Sequence, residues 1–465
     1  MRIPWKNHEP PALSGHEHSN NRSDHELRRR RLTYAIGSAT ASKISAVLLQ
    51  LIAFPFALRT LGVDKYAVFI ALQALLSWTS LLSLGLIPSL PKFIAGARAA
   101  NDLQDQRNLV VWPLLWLSGV AVVLAAALAL LGLAVPPYRL VSTAPDLPHS
   151  IVRTAYLTAV FISCVQQLTS VEAALRSGYQ EFHYTSLISL CANLIVTGLL
   201  LLAFRHFGSI SAFMLILYLP QAVLLLVDIG VLFAQRPYLL GRPTALRATF
   251  NTLSSQSANA LFVQISVFLT VYLPPLIVAH LTNPTATAAF GTLIQMMMMG
   301  VASMNLIYQP LLAAISDAHS LKDWPWIERN YHRGLKLVVS VGLLAIVVLT
   351  AIGPWLLLTW LGRDIGITHE LCFATGCLFA LMSFSIYHFY VLSGAGLLRG
   401  AGWAYVGQGA IALALATLLC THFGALGMMA GLAIGLLAVS SWYGPLRMTN
   451  AHLGGASEIH KREAI

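Results

Sequence analysis

The chain runs as long apolar stretches rich in Leu, Ala, Val and Ile, separated by short polar segments. Each stretch is close to the about 20 apolar residues a helix needs to cross the hydrocarbon of a bilayer. The pattern predicts spans at about 32–58, 66–91, 110–135, 151–174, 184–204, 209–233, 251–280, 286–313, 335–361, 367–393, 403–421 and 424–446. The period-2 alternation of a transmembrane barrel is absent. The fold class read from this pattern is an all-α polytopic membrane protein with about twelve transmembrane helices.

The spans also repeat. His206-Phe207-Gly208 recurs as His422-Phe423-Gly424, and Ser177-Gly178 as Ser393-Gly394, both at an offset of 216. Pro88 and Arg107 match Pro310 and Arg329 at 222, and Pro55 matches Pro274 at 219. Two copies of six spans follow. An even number of spans returns the chain to its starting side, so the copies form two parallel-repeat six-helix bundles around a central cavity. The division expected is a disordered tail over 1–31, an N-terminal bundle over 32–234, a linker over 235–250, a C-terminal bundle over 251–446 and a second tail over 447–465.

Composition agrees: 57% hydrophobic and 10% charged residues, with mean hydropathy +0.70, exceed what a globular core absorbs. A formal charge of +11 does not mark a nucleic-acid binder, because the basic residues are spread along the loops. With the N-terminus placed inside, 22 of the 29 Lys and Arg fall in inner segments and 6 in outer ones. Both termini are therefore expected in the cytoplasm. The polar segment before Arg28-Arg29-Arg30-Arg31 has no apolar core of a signal peptide, so the first span reads as an uncleaved anchor. The five cysteines lie inside apolar runs, and His8, His16, His18 and His25 of the tail lack ligand spacing. No metal or cofactor is expected.

Leu61-Gly62, Tyr66, Ser83-Leu84-Gly85-Leu86, Pro88 and the short basic loop to Arg107 resemble the first helix pair of a known family, as do Leu175-Arg176-Ser177-Gly178-Tyr179-Gln180 and Asn193. The family is the polysaccharide and O-antigen flippases of the multidrug/oligosaccharidyl-lipid/polysaccharide exporter superfamily, and the resemblance covers about residues 32–446. It implies a V-shaped cavity that exposes a lipid-linked oligosaccharide, a polyprenyl-diphosphate glycan, alternately to the two leaflets of the bacterial cytoplasmic (inner) membrane. The partners implied are that glycan and the membrane lipids; assembly with polysaccharide polymerase and export proteins is left open. Many relatives carry an acidic residue where this chain has Ser83, so no coupling carboxylate is expected there. Two other functions compete: a cation-coupled drug exporter of the same superfamily and a membrane glycan polymerase or ligase. The longest outer loop, 136–150, is too short for a catalytic module and holds no nucleophile–base pair, which argues against an enzyme.

Lys43 is the outstanding candidate for substrate binding, a cation about a dozen residues inside the first span, with Gln50 on the same helix stripe. An ammonium there suits the diphosphate of a lipid-linked glycan; the alternative is a snorkelling or carbonyl-paired lysine. Gln256, Asn259 and Gln264 on the seventh span, and Gln166 and Gln167 on the fourth, offer amides to sugar hydroxyls, or else bond between helices. Pro55, Pro88, Pro274, Pro275 and Pro310 are the expected hinges, with static kinks as the alternative. Glu172 and Arg176 read as an i,i+4 helix-end salt bridge, Asp228 as solvated, and His388 as a packing histidine. Met296–Met299 read as helix packing or an adaptable surface for a lipid tail.

Overall fold

A computed structural model describes residues 16–77, 86–141, 147–202, 208–244, 261–397 and 401–463. The first half comprises α1 (His16–Ser77), α2 (Leu86–Ala99), α3 (Leu103–Ala134), α4 (Pro137–Val141), α5 (His149–Thr169), α6 (Glu172–Gly178), α7 (Phe182–Leu202) and α8 (Ile210–Gln235). The second comprises α9 (Pro274–Leu281), α10 (Pro284–Ser320), α11 (Trp324–Leu361), α12 (His369–Gly394) and α13 (Ala401–Glu463). Helix α1 begins at His16, inside the segment read from sequence as a disordered tail.

Among the described residues, ten stretches are long and apolar enough to cross a membrane, two of them, Gly37–Ser77 and Gly402–Asn450, being 41 and 49 residues long. At 1.5 Å per residue each is about twice the hydrocarbon thickness or more. Both are hairpins. Gly62 (φ 77°) and Gly424 (φ 58°) break α1 and α13 with a backbone conformation that a side chain strains. Phe56 and Phe69, on opposite sides of Gly62, both pack on Phe213, at centroid distances of 6.2 and 5.0 Å. Beyond Gly424, the stripe Gly427, Gly431 and Gly435 lies against the backbone of Leu419, Ala416 and Ala412 in turn. Such small residues let two helices approach closely where no hydrophobic force drives them together. Counting each hairpin as two crossings gives the twelve expected.

The repeat is written into the packing. Gly178 sits on Ile94, where a Cβ would lie 2.7 Å away, and Gly394 sits on Ile315 at 2.9 Å. Gly132 faces Tyr156 at 2.7 Å, and Gly353 faces Cys372 at 2.8 Å. The positive-φ residues Asn101 and Lys322 precede the N-caps Asp102 and Asp323, which accept from the amides of Asp105 and Trp326. These pairs relate the early helices at an offset of 221 and the later ones at 216. The offset of 222 that paired Pro88 with Pro310 and Arg107 with Arg329 is thus one residue out of register at this level. Same-order contacts in both copies make the halves parallel repeats.

The halves meet at the end that carries Gly62, Gly362 and Gly424, called here the turn end. Arg59 Nε donates to the Leu361 carbonyl at 2.9 Å, Trp360 Nε1 to the Leu51 carbonyl at 2.8 Å, and His280 Nε2 lies 3.0 Å from the Arg139 carbonyl. Deeper, the Tyr66 and Thr292 hydroxyls bond at 3.0 Å, and Ile70 fills the space over Gly291. The opposite end, with the turns at Asn101, Gln180, Lys322 and Gly396, is called the tail end.

Gly431→Ala is expected to destabilise the protein by about 1–3 kcal/mol, because the new methyl meets main chain that cannot rotate away. A lowered thermal unfolding midpoint in detergent, with Gly407→Ala unaffected where nothing lies within 4 Å, is the measurement.

Candidate functional site: the central cavity

Between the halves lie chambers that share walls. A polar chamber of about 550 Å³ is lined by Gln166, Gln167, Ser170, Thr185, Gln221 and Gln264, with Glu172 in its wall. A second chamber, about 320 Å³, holds Lys43, Gln50, Asn193 and Gln73, and shares Ser189, Tyr218 and Gln221 with the first. Lys43, Gln50 and Gln295 also line a groove of about 570 Å³ between α1 and α10, whose remaining wall is largely apolar: Ile44, Val47, Leu48, Met298, Met299 and Leu306. Ile44, Leu48 and Leu306 are among the exposed apolar side chains, so this groove opens on the lipid-facing side.

The chamber walls hold a relay no single motif announces. Gln73 Nε2 donates to the Tyr218 hydroxyl at 2.7 Å, and Gln295 Nε2 donates to Gln73 Oε1 at 3.0 Å. This ties α8 to α1 and α1 to α10 across the interface of the halves. Asn193 Nδ2 donates to Ser45 Oγ at 2.9 Å, next to Lys43. The ammonium of Lys43 has no hydrogen-bond or ion-pair partner among the described residues. Polar groups left unmatched in a protein interior are costly, and the polar chamber holds three: Gln167 Nε2, Glu172 Oε2 and Gln264 Oε1.

The residues read from sequence distribute as follows. Lys43 and Gln50 share the second chamber and the groove, and Gln166, Gln167 and Gln264 share the first. Gln256 and Asn259 lie outside the described residues, as does Ser83. Pro55 is buried inside α1, and Pro274 and Pro275 are buried at the start of α9, just after a π-helical turn over Phe268–Tyr272. Pro310 is exposed on α10, and Pro88 lies in α2. Met298 and Met299 line the groove, whereas Met296 and Met297 pack in the core. His388 is a buried packing residue, bonded to the Phe384 carbonyl at 2.8 Å and the Tyr331 hydroxyl at 3.1 Å. No group of three or more metal-ligating side chains occurs among the described residues.

Two readings are corrected. Arg176 does not pair with Glu172: its Nε and Nη2 grip both oxygens of Asp228 at 2.7 and 2.6 Å, and Nη1 reaches Glu181 at 2.7 Å. Nor is Asp228 solvated, being 6% exposed while Arg176 is fully buried. The cause is the break at Ser170–Val171, after which α6 starts afresh and turns Glu172 toward Thr185, which donates to it at 2.9 Å. Arg236 joins the cluster through Glu181 and stacks on Tyr179 at 4.2 Å. Burial, with Tyr238 beside it, pushes the Tyr179 phenol well above its ordinary range, so it stays a donor. The missed residues are Gln73, Tyr218, Gln221 and Gln295, polar side chains standing in apolar runs, a signal the sequence contained.

The model of the family described as "Polysaccharide biosynthesis protein" matches residues 33–318. The chain belongs to that family. Among solved structures, the fold is similar to an inward-facing multidrug resistance MATE family transporter of the MOP superfamily, with TM-score 0.73 and 14% identity over 87% of this chain and 95% of that one. A MOP superfamily transporter from Pyrococcus furiosus matches with TM-score 0.66 and 13% identity over 90% and 95%. An outward-facing MATE family structure matches with TM-score 0.65 and 13% identity over 90% and 96%. A comparison with proteins of curated function finds no match. The family is thus that of the polysaccharide biosynthesis proteins, and the fold is one that solved MOP superfamily transporters share.

Arg176→Leu is expected to cost about 3–5 kcal/mol, since it strands the buried Asp228 carboxylate. The double change Arg176→Leu with Asp228→Leu should recover part of this loss, measured as folded protein in the membrane fraction.

Proposed function

We propose that this family member flips a lipid-linked oligosaccharide across the bacterial cytoplasmic membrane by alternating access, for surface polysaccharide assembly. The observation that carries the reading is the position of Lys43. Lys43, whose ammonium has no partner among the described residues, lines both the lipid-side groove and a chamber that shares Ser189, Tyr218 and Gln221 with the amide-lined one. A polyprenyl-diphosphate glycan has the same three parts in the same order. The tail lies in the groove between α1 and α10 against Met298, Met299 and Leu306; the diphosphate meets Lys43 and Gln50; the sugars face Gln166, Gln167, Gln221 and Gln264. A compact ammonium in a semi-enclosed site gains most from a doubly charged group that cannot shed its charge.

The bundles 32–234 and 251–446 then rock about the interface, with the linker 235–250 and both tails in the cytoplasm. The turn end is the periplasmic side, and the Arg59, Trp360 and His280 bonds hold it shut in this state. Pro55, Pro274 and Pro275, buried near that end and beside a π-helical turn, are where the helices bend. A second reading, export of an organic cation, draws on Glu172 in the chamber wall. The free ammonium in the adjoining chamber favours an anionic ligand instead.

Lys43→Ala is expected to abolish glycan export in a deletion strain while the protein stays inserted and abundant, since removing a charge from a span relieves an insertion cost. Lys43→Arg should retain part of the activity. Normal export by Lys43→Ala, at equal protein level, would remove the diphosphate site. For topology, a membrane-impermeant thiol reagent applied to intact cells should label Ser142→Cys and spare Pro325→Cys; the opposite pattern would invert the orientation.

A further inference from the structure

His280 stands exposed in the last turn of α9, at the turn end where the halves meet. Its Nδ1 lies 2.8 Å from the Leu276 carbonyl oxygen of its own helix, and its Nε2 lies 3.0 Å from the Arg139 carbonyl oxygen on α4 of the other half. A carbonyl oxygen only accepts, and a neutral imidazole carries a single N–H, so either tautomer sets one ring lone pair against an oxygen. The imidazolium alone donates to both. His388 shows the contrast: one of its two partners is the Tyr331 hydroxyl, which can itself donate, so the neutral ring is satisfied there. Among the described residues, no other histidine has a carbonyl on each ring nitrogen.

The surroundings set the sign of the response. Helix α9 packs against α1, α4, α10, α13 and the π-helical turn before it. At the turn end, α1 brings Arg59, Asp64, Lys65 and Tyr66. From α4 come Tyr138, stacked on His149, and Arg139; α13 brings His422, the π-helical turn Tyr272, and α10 no charged group. Arg59 and Lys65 donate to the carbonyls of Leu361 and Gly208, the Arg139 guanidinium lies over the Tyr138 ring, and Tyr66 is bonded to Thr292. None of these side chains bonds to the His280 ring, so the extra proton is held by two carbonyls and by the negative end of the α9 dipole. One of those carbonyls belongs to the other half. Parting the halves removes it, so the closed contact binds the proton more tightly than the open one, and acid favours closure.

We propose that His280 is a proton-operated latch between the halves: the imidazolium holds the turn end closed, and the neutral ring lets go of the Arg139 carbonyl. The proton is taken from and returned to water at the exposed ring, and no other bond is made or broken. Since one proton is involved, the ratio of closed to open molecules changes by at most about tenfold per pH unit. Histidine is the side chain suited to such a response between about pH 5 and 8. The latch would read the acidity of the compartment that the turn end faces, the periplasm on the transport reading above. It rests on the meeting of the halves and not on what is carried.

The test uses the full-length protein in lipid nanodiscs, without substrate and with its five native cysteines changed to alanine. Spin labels on Ser150→Cys and Glu370→Cys, exposed positions at the turn end of the first and second halves, report the separation of the halves by pulsed electron resonance. With His280 present, the short-distance population should gain on the long one as pH falls from about 8 to about 5. His280→Gln, which keeps the same donors at every pH, should give a ratio that does not move with pH. His280→Arg, always charged and with several donors, should hold the short distance in alkaline as in acid buffer. A His280 protein whose ratio is flat with pH, a long distance that grows in acid, or an acid-side closure kept in His280→Gln would each overturn the proposal. Should His280→Gln fail to fold, the His280 titration and His280→Arg decide. The expected ratios together with normal export by Lys43→Ala would leave the latch standing and remove the lipid-linked ligand; flat ratios with export lost in Lys43→Ala would do the reverse.

Discussion

Hydrocarbon offers no hydrogen bonds, so every polar atom carried into the membrane must find a partner in the protein or face a wet space. That requirement explains where the polar residues of this chain sit. Arg176, with no exposed surface, is matched on three nitrogens by Asp228 and Glu181. Gln73, Tyr218 and Gln295 satisfy one another across the seam of the halves. Hydroxyls such as Thr270 and Thr292 bond to the carbonyl one turn back within their own helix. Of the buried polar atoms that remain unmatched among the described residues, those of Gln167, Glu172 and Gln264 gather in one chamber wall, and with Lys43 in the adjoining chamber they mark the site.

The two halves share backbone design and differ in content. Glycine contacts, N-caps and positive-φ turns recur in order, because each fixes how one helix leaves or crosses another. The tail-end core of the first half is ionic around Arg176, whereas the corresponding region of the second is aromatic, with Tyr308, Tyr331, Tyr387 and His388 in contact. A duplicated scaffold thus keeps the geometry of motion in both copies and leaves one free to carry charge.

The crossings, the repeat and the family resemblance were legible in the sequence, since apolar run length and the placing of glycine and proline are local signals. Lys43, Gln166, Gln167 and Gln264 stood out as polar residues in apolar runs, and they do face cavities. The Arg176–Asp228 pair was not legible: the partners are 52 residues apart, and the closer i,i+4 acid was misleading because a helix break intervenes. The seam relay was invisible for a similar reason, each amide being unremarked until two helices from different halves bring it beside another. The offset of 222 for the early helices missed the register by one residue, because identity of residue type was matched where identity of contact decides.

The latch at the turn end has one unusual property. Arg59 grips a main-chain carbonyl where α11 ends, covering Gly362 (φ 69°), and Trp360 reciprocates on the carbonyl of Leu51. Carbonyl oxygens are supplied by every amino acid alike, so neither acceptor can be lost by substitution at its own position. Because no counter-ion is abandoned when the grip is broken, both sides pass to water on nearly equal terms. Such a fastening can close many times without becoming a trap, and its ease of release is insulated from sequence drift on one side of the seam.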